Sequence, residues 1–215
     1  MKVEYRIEGV PSRMDNIKVL WEQLGIGEKE TFLDTEYRQN PVWTWKQTVQ
    51  LPMDEDTTHI CVVQDDAILP LHFKEFVEKI AKKYPNNIIK LYNNRDLDSL
   101  LPKGCIFTPN RNLGGVSTLI PSKYIDSMVK QHEEICPDYI HDDAYISFWA
   151  FHNDVEVYNT YPSIVDTLEG SELGHPTFKV HFFCEDTQKY HWCDARKVEL
   201  YPKYDKSQEK KFLWA

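Results

Sequence analysis

Apolar residues in the first half of the chain switch between a two-residue period and a three- or four-residue period. Alternation at Val3, Tyr5 and Ile7 predicts a first strand that stops at Gly9. The next apolar positions have helical spacing and predict a helix that ends at Gly25; they are Met14, Ile17, Leu20, Trp21 and Leu24. A short strand at 32–33 and a helix over 43–51 follow.

The clearest strand and the clearest helix come next. Residues 60–63 form a continuous apolar run, which is typical of a strand buried on both faces. Residues 73–84 carry one apolar stripe at helical spacing. Shorter patterns predict strands over 88–92, 105–107 and 116–120, helices from Pro121 and from near Asp142, and a late strand at Val155 and Val157.

Strands that alternate with helices in this way predict an α/β fold. We expect a mostly parallel, Rossmann-like sheet flanked by helices in a single domain over residues 1–200, followed by a lysine-rich C-terminal tail over 201–215. In such sheets ligands bind at the carboxyl ends of the strands. The loops after Ile7, Val63 and Ile120 are therefore the expected positions of a site.

Charge and composition narrow the class of protein. The net charge of -9 disfavours a protein that wraps a polyanion over its whole surface. Arg95, Lys103 and Arg111 leave room for one local basic groove, although scattered solvated charges are the alternative. No apolar stretch approaches the roughly 20 residues that span a bilayer, and the N-terminus has no signal-peptide pattern.

The cysteines point to a reducing compartment. There are five, without the spacing of a disulfide framework, and Cys61 and Cys105 lie in apolar runs as small buried hydrophobes do. Together with the missing membrane span, this predicts a cytoplasmic protein.

Asp65 and Asp66 follow the most buried of the predicted strands. Adjacent carboxylates are suitable oxygen ligands for Mg²⁺ or Mn²⁺, whose shells substrate phosphates and water complete. A continuing strand would point the two side chains in opposite directions, so one of them would contact a ribose or sugar hydroxyl instead. A pair of solvated turn residues is the alternative.

Two further segments begin helices with polar groups. The segment 9–13 places backbone N–H groups and Arg13 where an anion would bind; a simple turn with Ser12 as N-cap is the alternative. His141, Asp142 and Asp143 precede a helix, whose dipole would keep a carboxylate ionised as a general base requires. An N-capping aspartate is again the alternative.

A last segment has the residue types of a zinc site without a recognised spacing. Two short strands could present four ligands on one face, namely His181, Cys184, His191 and Cys193. Ordinary strand residues are the alternative. The chain has no GxxxxGK phosphate loop, no dinucleotide fingerprint and no G-x-S-x-G elbow, so the corresponding enzyme classes are excluded.

Taken in order, these motifs resemble the GT-A glycosyltransferases, and the similarity is greatest to small transferases of bacteriophage genomes and surface-polysaccharide pathways. The resemblance covers roughly residues 3–175. It rests on the segments 9–13, 58–66, 114–121, 141–143 and 162–166. It implies a nucleoside diphosphate sugar as donor, with UDP favoured, a Mn²⁺ or Mg²⁺ cofactor, and the cytoplasm of a bacterium or a phage-infected host.

The resemblance also implies roles for individual residues. The nucleotide-sugar-binding set would be Val10, Pro11, Ser12, Arg13, Gln64, Asp65, Gly114 and Gly115. Asp66 would be the metal ligand. Asp143 or Asp142 would deprotonate the acceptor hydroxyl in an inverting reaction. Similar sequences carry a metal-completing histidine where this chain has Thr167, so His175 or His181, or substrate and water, would have to complete the shell.

The acceptor and the activity class remain open. One version of the hypothesis takes a hydroxymethylated base in phage DNA as the acceptor. A nucleotidyltransferase of similar fold would instead release pyrophosphate, and a non-catalytic nucleotide-sugar-binding module would keep the fold without the chemistry.

Overall fold

The computed structural model describes residues 1–92, 106–107, 116–135, 137, 141–160, 164–168, 179–184 and 189–194. Its strands and helices alternate along the chain. In order they are β1 (Val3–Gly9), α1 (Met14–Leu24), β2 (Thr31–Leu33), α2 (Pro41–Val49), β3 (His59–Gln64), β4 (Ala67–Ile68), α3 (Phe73–Lys83), β5 (Ile88–Lys90), β6 (Ile106–Phe107), β7 (Ser117–Pro121), α4 (Ile125–Ile135), α5 (Asp142–His152), β8 (Val157–Thr160), β9 (Asp166–Thr167), β10 (Lys179–Cys184) and β11 (Lys189–Asp194).

Seven of the strands form one mixed sheet in the order β2-β1-β3-β7-β5-β8-β6. Five run in the same direction, whereas β7 and β6 run against them. The predicted α/β fold with a mostly parallel sheet is therefore confirmed, and a reversed strand sits at its centre. Side-chain periodicity reports which face a residue occupies and carries no information on strand direction, so the sequence could not reveal β7's reversal.

Helices cover both faces of the sheet and divide the core in two. Tyr5, Ile7, Cys61 and Val63 pack with α1 and α3 on one face, which we call the α1/α3 face. Ile60, Val62, Ile88 and Ile120 pack with α2, α4 and α5 on the other, the α2/α5 face. Alternating residues of each strand contribute to opposite faces, as a pleated strand buried on both sides requires.

The helix boundaries follow local chemistry. Gly25 has a φ of 66° and its N–H donates to Trp21 O at 2.8 Å, which ends α1 at the predicted glycine. Helix α2 begins at Pro41, two residues before the predicted start, because proline fits the first turn and Asn40 Oδ1 accepts from Trp43 N. Ser12 makes no capping bond to α1, so its predicted N-cap role is wrong.

The remaining strands form two small sheets, β4 with β9 and β10 with β11. Among the described residues, no helix combines the length and apolar character needed to cross a bilayer. Cys61 is fully buried, as predicted, and burial raises the pKa of its thiol to about 12.

Candidate functional site

A cavity of about 440 Å³ opens at the carboxyl ends of β1 and β3. Its lining comes from the turn after β1, the loop before α2, the end of β3 and the residue before α5. Those residues are Glu8, Gly9, Val10, Ser12, Arg13, Asp34, Tyr37, Gln39, Asn40, Pro41, Thr44, Gln64, Asp65, Asp66 and His141. The strand-end rule therefore located this cavity correctly.

Asp65 connects the two strand ends. Its N–H donates to Glu8 O at 2.9 Å, and its Oδ2 accepts from Val10 N at 2.7 Å. The carboxylate lies so close to Gly9 that an added Cβ would be 2.8 Å from Asp65 Cγ and nearer still to Asp65 Cβ. Glycine at position 9 is thus required by this approach rather than by an unusual backbone angle.

Arg13 completes the environment of both aspartates. Its Nη1 is 2.7 Å from Asp65 Oδ1 and 3.5 Å from Asp66 Oδ2, and its side chain is 28% exposed to the cavity. Each Asp65 oxygen is therefore engaged within the protein, where the sequence assigned Asp65 to a sugar or ribose hydroxyl. In this arrangement Asp65 fixes the 9–13 turn and orients a guanidinium that can receive an anion.

The segment after β8 returns to the aspartate pair. Leu168 N donates to Asp66 O at 2.8 Å, and Thr167 pairs with Ala67 in the β4–β9 ladder. Thr167, where the resemblance to GT-A transferases led us to expect a histidine, is buried next to Asp66 and supplies a neutral hydroxyl.

The loop before α2 forms the opposite wall. Asp34 accepts from the N–H groups of Glu36 at 3.1 Å and Arg38 at 2.6 Å, and its own N–H donates to Gly9 O at 2.8 Å. Tyr37 and Gln39 both have positive φ values, 51° and 52°, in this loop. Two such residues, separated only by Arg38, are strained, and the Asp34 bonds to Glu36 and Arg38 hold this loop in place.

Buried charges lie at the inner end of the cavity. Glu8 Oε1 accepts from Gln64 Nε2 at 3.1 Å, and burial together with Asp142 raises the pKa of Glu8 well above its usual range. Burial lowers the pKa of Lys90, although Asp142, Asp143 and Glu8 oppose that shift. Glu8 lines the cavity, whereas Asp142 and Lys90 lie buried within electrostatic range of it and do not line the cavity.

Asp142 does not behave as the sequence predicted for a carboxylate at a helix start. It is 5% exposed, and burial raises its pKa despite the nearby ammonium of Lys90. Desolvation is thus the larger effect at this residue, and it shifts the pKa in the direction opposite to the one expected from the α5 dipole.

The predicted site residues fall into three groups. Val10, Ser12, Arg13, Gln64, Asp65 and Asp66 line the cavity, and Pro11 lies within the same turn. Asp142 and Asp143 begin α5 and do not line the cavity, although their neighbour His141 does. Gly114, Gly115 and His175 lie outside the described residues, as do the basic residues of the proposed groove and the C-terminal tail.

The suggested zinc ligands lie on the β10–β11 hairpin, where Phe182 pairs with His191 and Val180 with Cys193. The pairing fixes the register of these two strands, and the zinc site stays a prediction of the sequence.

Sequence reasoning missed most of the cavity wall, including Glu8, Asp34, Tyr37 and Gln39. It also missed Lys90. One signal was available: Lys90 is a charged residue at the end of an otherwise apolar strand segment, and a charge in such a position needs a partner or a function.

The donor set is compatible with a hard cation held mainly by substrate. Within the described part of the chain, no three His, Cys, Asp or Glu side chains converge as a metal site. Mg²⁺ and Mn²⁺ are commonly bound through one or two carboxylates together with substrate phosphates. Asp66, in the cavity wall beside Arg13, fits that arrangement.

No protein-family model matches the sequence, and a search of curated proteins gives no match either.

Proposed function

We propose that this protein is a metal-dependent glycosyltransferase of the GT-A type. It transfers a sugar from a nucleoside diphosphate sugar, with UDP favoured, to an acceptor hydroxyl. The observation that carries the proposal is the arrangement of Arg13, Asp65 and Asp66 at the carboxyl ends of two parallel strands. The guanidinium of Arg13, held in position by Asp65, lies next to the carboxylate of Asp66 in a cavity large enough for a small molecule.

The diphosphate binds at Arg13. The guanidinium is already oriented by Asp65, so little conformational entropy is lost when it binds phosphate oxygens. The nucleoside occupies the wall formed by the Asp34 loop and the 9–13 turn, where Tyr37 offers a ring surface.

Asp66 would hold the Mn²⁺ or Mg²⁺ together with the donor diphosphate. When bound, such an ion acts as a Lewis acid that offsets negative charge on the leaving diphosphate. The protein's own contribution there is the Arg13 guanidinium, which offsets the same charge without a metal.

Asp143 is the proposed general base for the acceptor hydroxyl. It is half-buried at the start of α5, whereas its neighbour Asp142 is buried beside Lys90 and is a poorer base for an exposed acceptor. Deprotonation of the hydroxyl as it attacks the anomeric carbon would invert the configuration. A product with retained configuration would overturn this role while leaving the donor site intact.

Donor binding is the direct test. We expect one of UDP, GDP or ADP, or its glucose conjugate, to raise the melting temperature in the presence of Mn²⁺, because a ligand at 100 times its Kd adds about 2.7 kcal/mol to the stability of the folded state. Arg13→Gln should abolish most of the shift. Lys29→Gln, which removes the same charge from an exposed position, is the matched control. A flat response of the wild-type protein to all of these ligands would overturn the proposal.

One observation favours a second candidate, a non-catalytic nucleotide-sugar-binding module: neither Asp142 nor Asp143 lines the cavity. Product analysis separates the candidates. Release of nucleoside diphosphate indicates a glycosyltransferase, release of pyrophosphate a nucleotidyltransferase, and binding without turnover a module. Hydroxymethylated DNA and plain DNA should be compared as acceptors of a labelled donor sugar. Transfer of the label to the modified DNA alone would identify the hydroxymethylated base as the acceptor.

A further inference from the structure

Asn40 lies in the cavity wall, where the loop that begins at Asp34 enters α2. Its Oδ1 accepts a hydrogen bond from Trp43 N at 3.1 Å, and its backbone oxygen accepts from the N–H groups of Trp43 and Thr44 at 3.0 and 3.1 Å. Asn40 is therefore the N-cap of this helix. The two N–H groups are bonded within the protein, so any ligand in this part of the cavity must contact side chains.

The capping bond determines which atom of the Asn40 amide remains available. Trp43 N–H is a donor, so the amide atom that faces it is the oxygen, and a 180° rotation of the amide would lose the bond. Asn40 Nδ2 makes no hydrogen bond with the described residues, and it is not among the unpaired side-chain atoms that are buried. The structure thus presents a fixed, accessible NH₂ donor at the cavity wall.

The loop that leads to Asn40 is held from two sides. Asp34 accepts from Arg38 N at 2.6 Å, and Arg38 Cζ lies 4.0 Å from the centre of the Trp43 ring. These contacts fasten the loop to the helix that Asn40 caps. The NH₂ donor is therefore positioned before a ligand binds, so little conformational entropy is lost when it forms a hydrogen bond.

Tyr37 and Gln39 line the same wall, but neither imposes a choice of base. The Tyr37 residue is 51% exposed, and its ring can stack on any nucleobase because every base has a π-face. Gln39 is exposed and makes no hydrogen bond with the described residues, so its amide can rotate to suit either a donor or an acceptor. The fixed donor of Asn40 differs from both, because its partner must be an acceptor.

We propose that Asn40 selects the base of the donor nucleotide, an inference that rests on the proposed function. Uracil and guanine carry a carbonyl oxygen at the position where cytosine and adenine carry an amino group. Asn40 Nδ2 donates to that carbonyl oxygen, whereas an amino group would place two donors against each other. The donor is therefore a uridine or guanosine diphosphate sugar rather than a cytidine or adenosine one.

The test changes the available atom of residue 40 and keeps the cap. Asn40→Asp retains an oxygen for Trp43 N and replaces the donor by a carboxylate acceptor, and aspartate is an equally good N-cap. Asn40→Ser also retains a capping oxygen and removes the donor without adding charge. Asn86→Asp is the matched control, because Asn86 is exposed away from the cavity and its Oδ1 likewise accepts a bond, from Lys123 Nζ at 2.7 Å.

Calorimetric titrations of the intact protein with Mn²⁺ would compare UDP with CDP, and GDP with ADP. In whichever pair binds, we expect the wild-type protein to prefer the base with the carbonyl by about tenfold, the effect of one hydrogen bond. Asn40→Ser should remove that preference, and Asn40→Asp should reverse it. Asn86→Asp should keep the wild-type preference. The ratio within a pair is the measured quantity, because the charge added by Asn40→Asp weakens both diphosphates alike.

Equal binding of both members of a pair by the wild-type protein, or a preference for the amino base, would overturn the selection by Asn40 while the donor site stands. Retention of the wild-type preference by both Asn40 variants would do the same. Loss of all binding in both variants would also contradict it, because Asn40 would then serve the loop rather than the base. If the wild-type protein binds none of the diphosphates, the proposed function itself fails and this inference fails with it.

Discussion

Arg6 and Lys90 are two cations buried under the same face of one sheet, and their surroundings differ completely. Arg6 Nη1 donates to Thr48 O at 3.0 Å and Val49 O at 2.7 Å, and Nη2 donates to Glu4 Oε2 at 3.0 Å and Pro52 O at 3.2 Å. Lys90 Nζ has no hydrogen-bond partner within the described part of the chain. The fold thus supplies hydrogen-bond acceptors to Arg6 and none, from the described residues, to Lys90 Nζ.

The difference follows the direction of the strands. Arg6 lies in the middle of β1, where its bonds fasten the end of α2 to the sheet, whereas Lys90 is the last residue of β5. Arg6 is thus held by packing contacts within the sheet, whereas Glu8 and Lys90, near the carboxyl edge, each keep a buried polar atom without a hydrogen bond from the described residues. Such open groups are a cost in stability that functional sites commonly carry.

The largest effect should come from Arg6→Met. Removing the guanidinium takes one donor from each of the carbonyls of Thr48, Val49 and Pro52 and leaves Glu4 without its charge partner. We expect a loss of about 3–5 kcal/mol in the free energy of unfolding, the range for breaking a buried ion pair from one side. Urea denaturation would measure it, and a loss below about 1 kcal/mol would contradict the structural role given to Arg6.

Gly9→Ala should have the next largest effect and should reach the site as well. The added methyl would overlap Asp65, which must then move away from Val10 N and Arg13. Overpacking of this kind costs about 1–3 kcal/mol. We therefore expect both a lower melting temperature and a smaller donor-induced shift. Gly27→Ala, where an added methyl has nothing within 4 Å, is the matched control.

The sequence predicted the part of this molecule that depends on local periodicity. The two-residue and helical patterns identified β1, α1, β3 and α3, and the strand-end rule brought Asp65 and Arg13 into one cavity. These predictions succeed because the burial of a strand or an amphipathic helix determines the spacing of apolar residues within that element.

The polar residues Glu8, Gln64, Thr118 and Lys90, at the ends of four neighbouring strands, could not be predicted in the same way. Each strand contributes a single polar residue, and the strands become neighbours only through the reversed insertion of β7 between β3 and β5. The burial of Asp142 within electrostatic range of Lys90 and Glu8 was equally invisible, because those residues are distant from it in the sequence. Local rules at a helix terminus say nothing about what the sheet places beneath it.

The pH dependence of stability would sharpen the contrast between the hydrogen-bonded surroundings of Arg6 and the buried charged groups near Glu8. Because the pKa of Glu8 is raised in the folded protein, the folded state keeps a proton that the unfolded chain releases above about 4.5, and stability falls as pH rises. Glu8→Gln removes this penalty. Its free energy of unfolding relative to wild type should therefore increase as the pH rises from 4.5 to 8.

Denaturation at several pH values would measure this difference. Glu22→Gln removes the same charge from an exposed position of α1, and its effect should not grow with pH in that way. Asp65 and Asp142 raise the pKa of Glu8, and Gln64 and Lys90 lower it. A Glu8→Gln effect that stays constant across the range would show that these groups together leave Glu8 ionised.

The smallest effect, and the most direct comparison, concerns two buried threonines. Thr118 Oγ1 has no hydrogen bond from the described residues, whereas Thr48 Oγ1 donates to Thr44 O at 2.9 Å. Valine has the same shape without the hydroxyl, so Thr48→Val should lose about 1 kcal/mol for the missing bond. Thr118→Val should lose nothing and gain up to about 1 kcal/mol, because it removes an unpaired polar group from the interior. Thermal unfolding of the two variants in parallel would decide this. If Thr118→Val proved as destabilising as Thr48→Val, its hydroxyl would be part of the fold, and the carboxyl edge would be as closed as the region around Arg6.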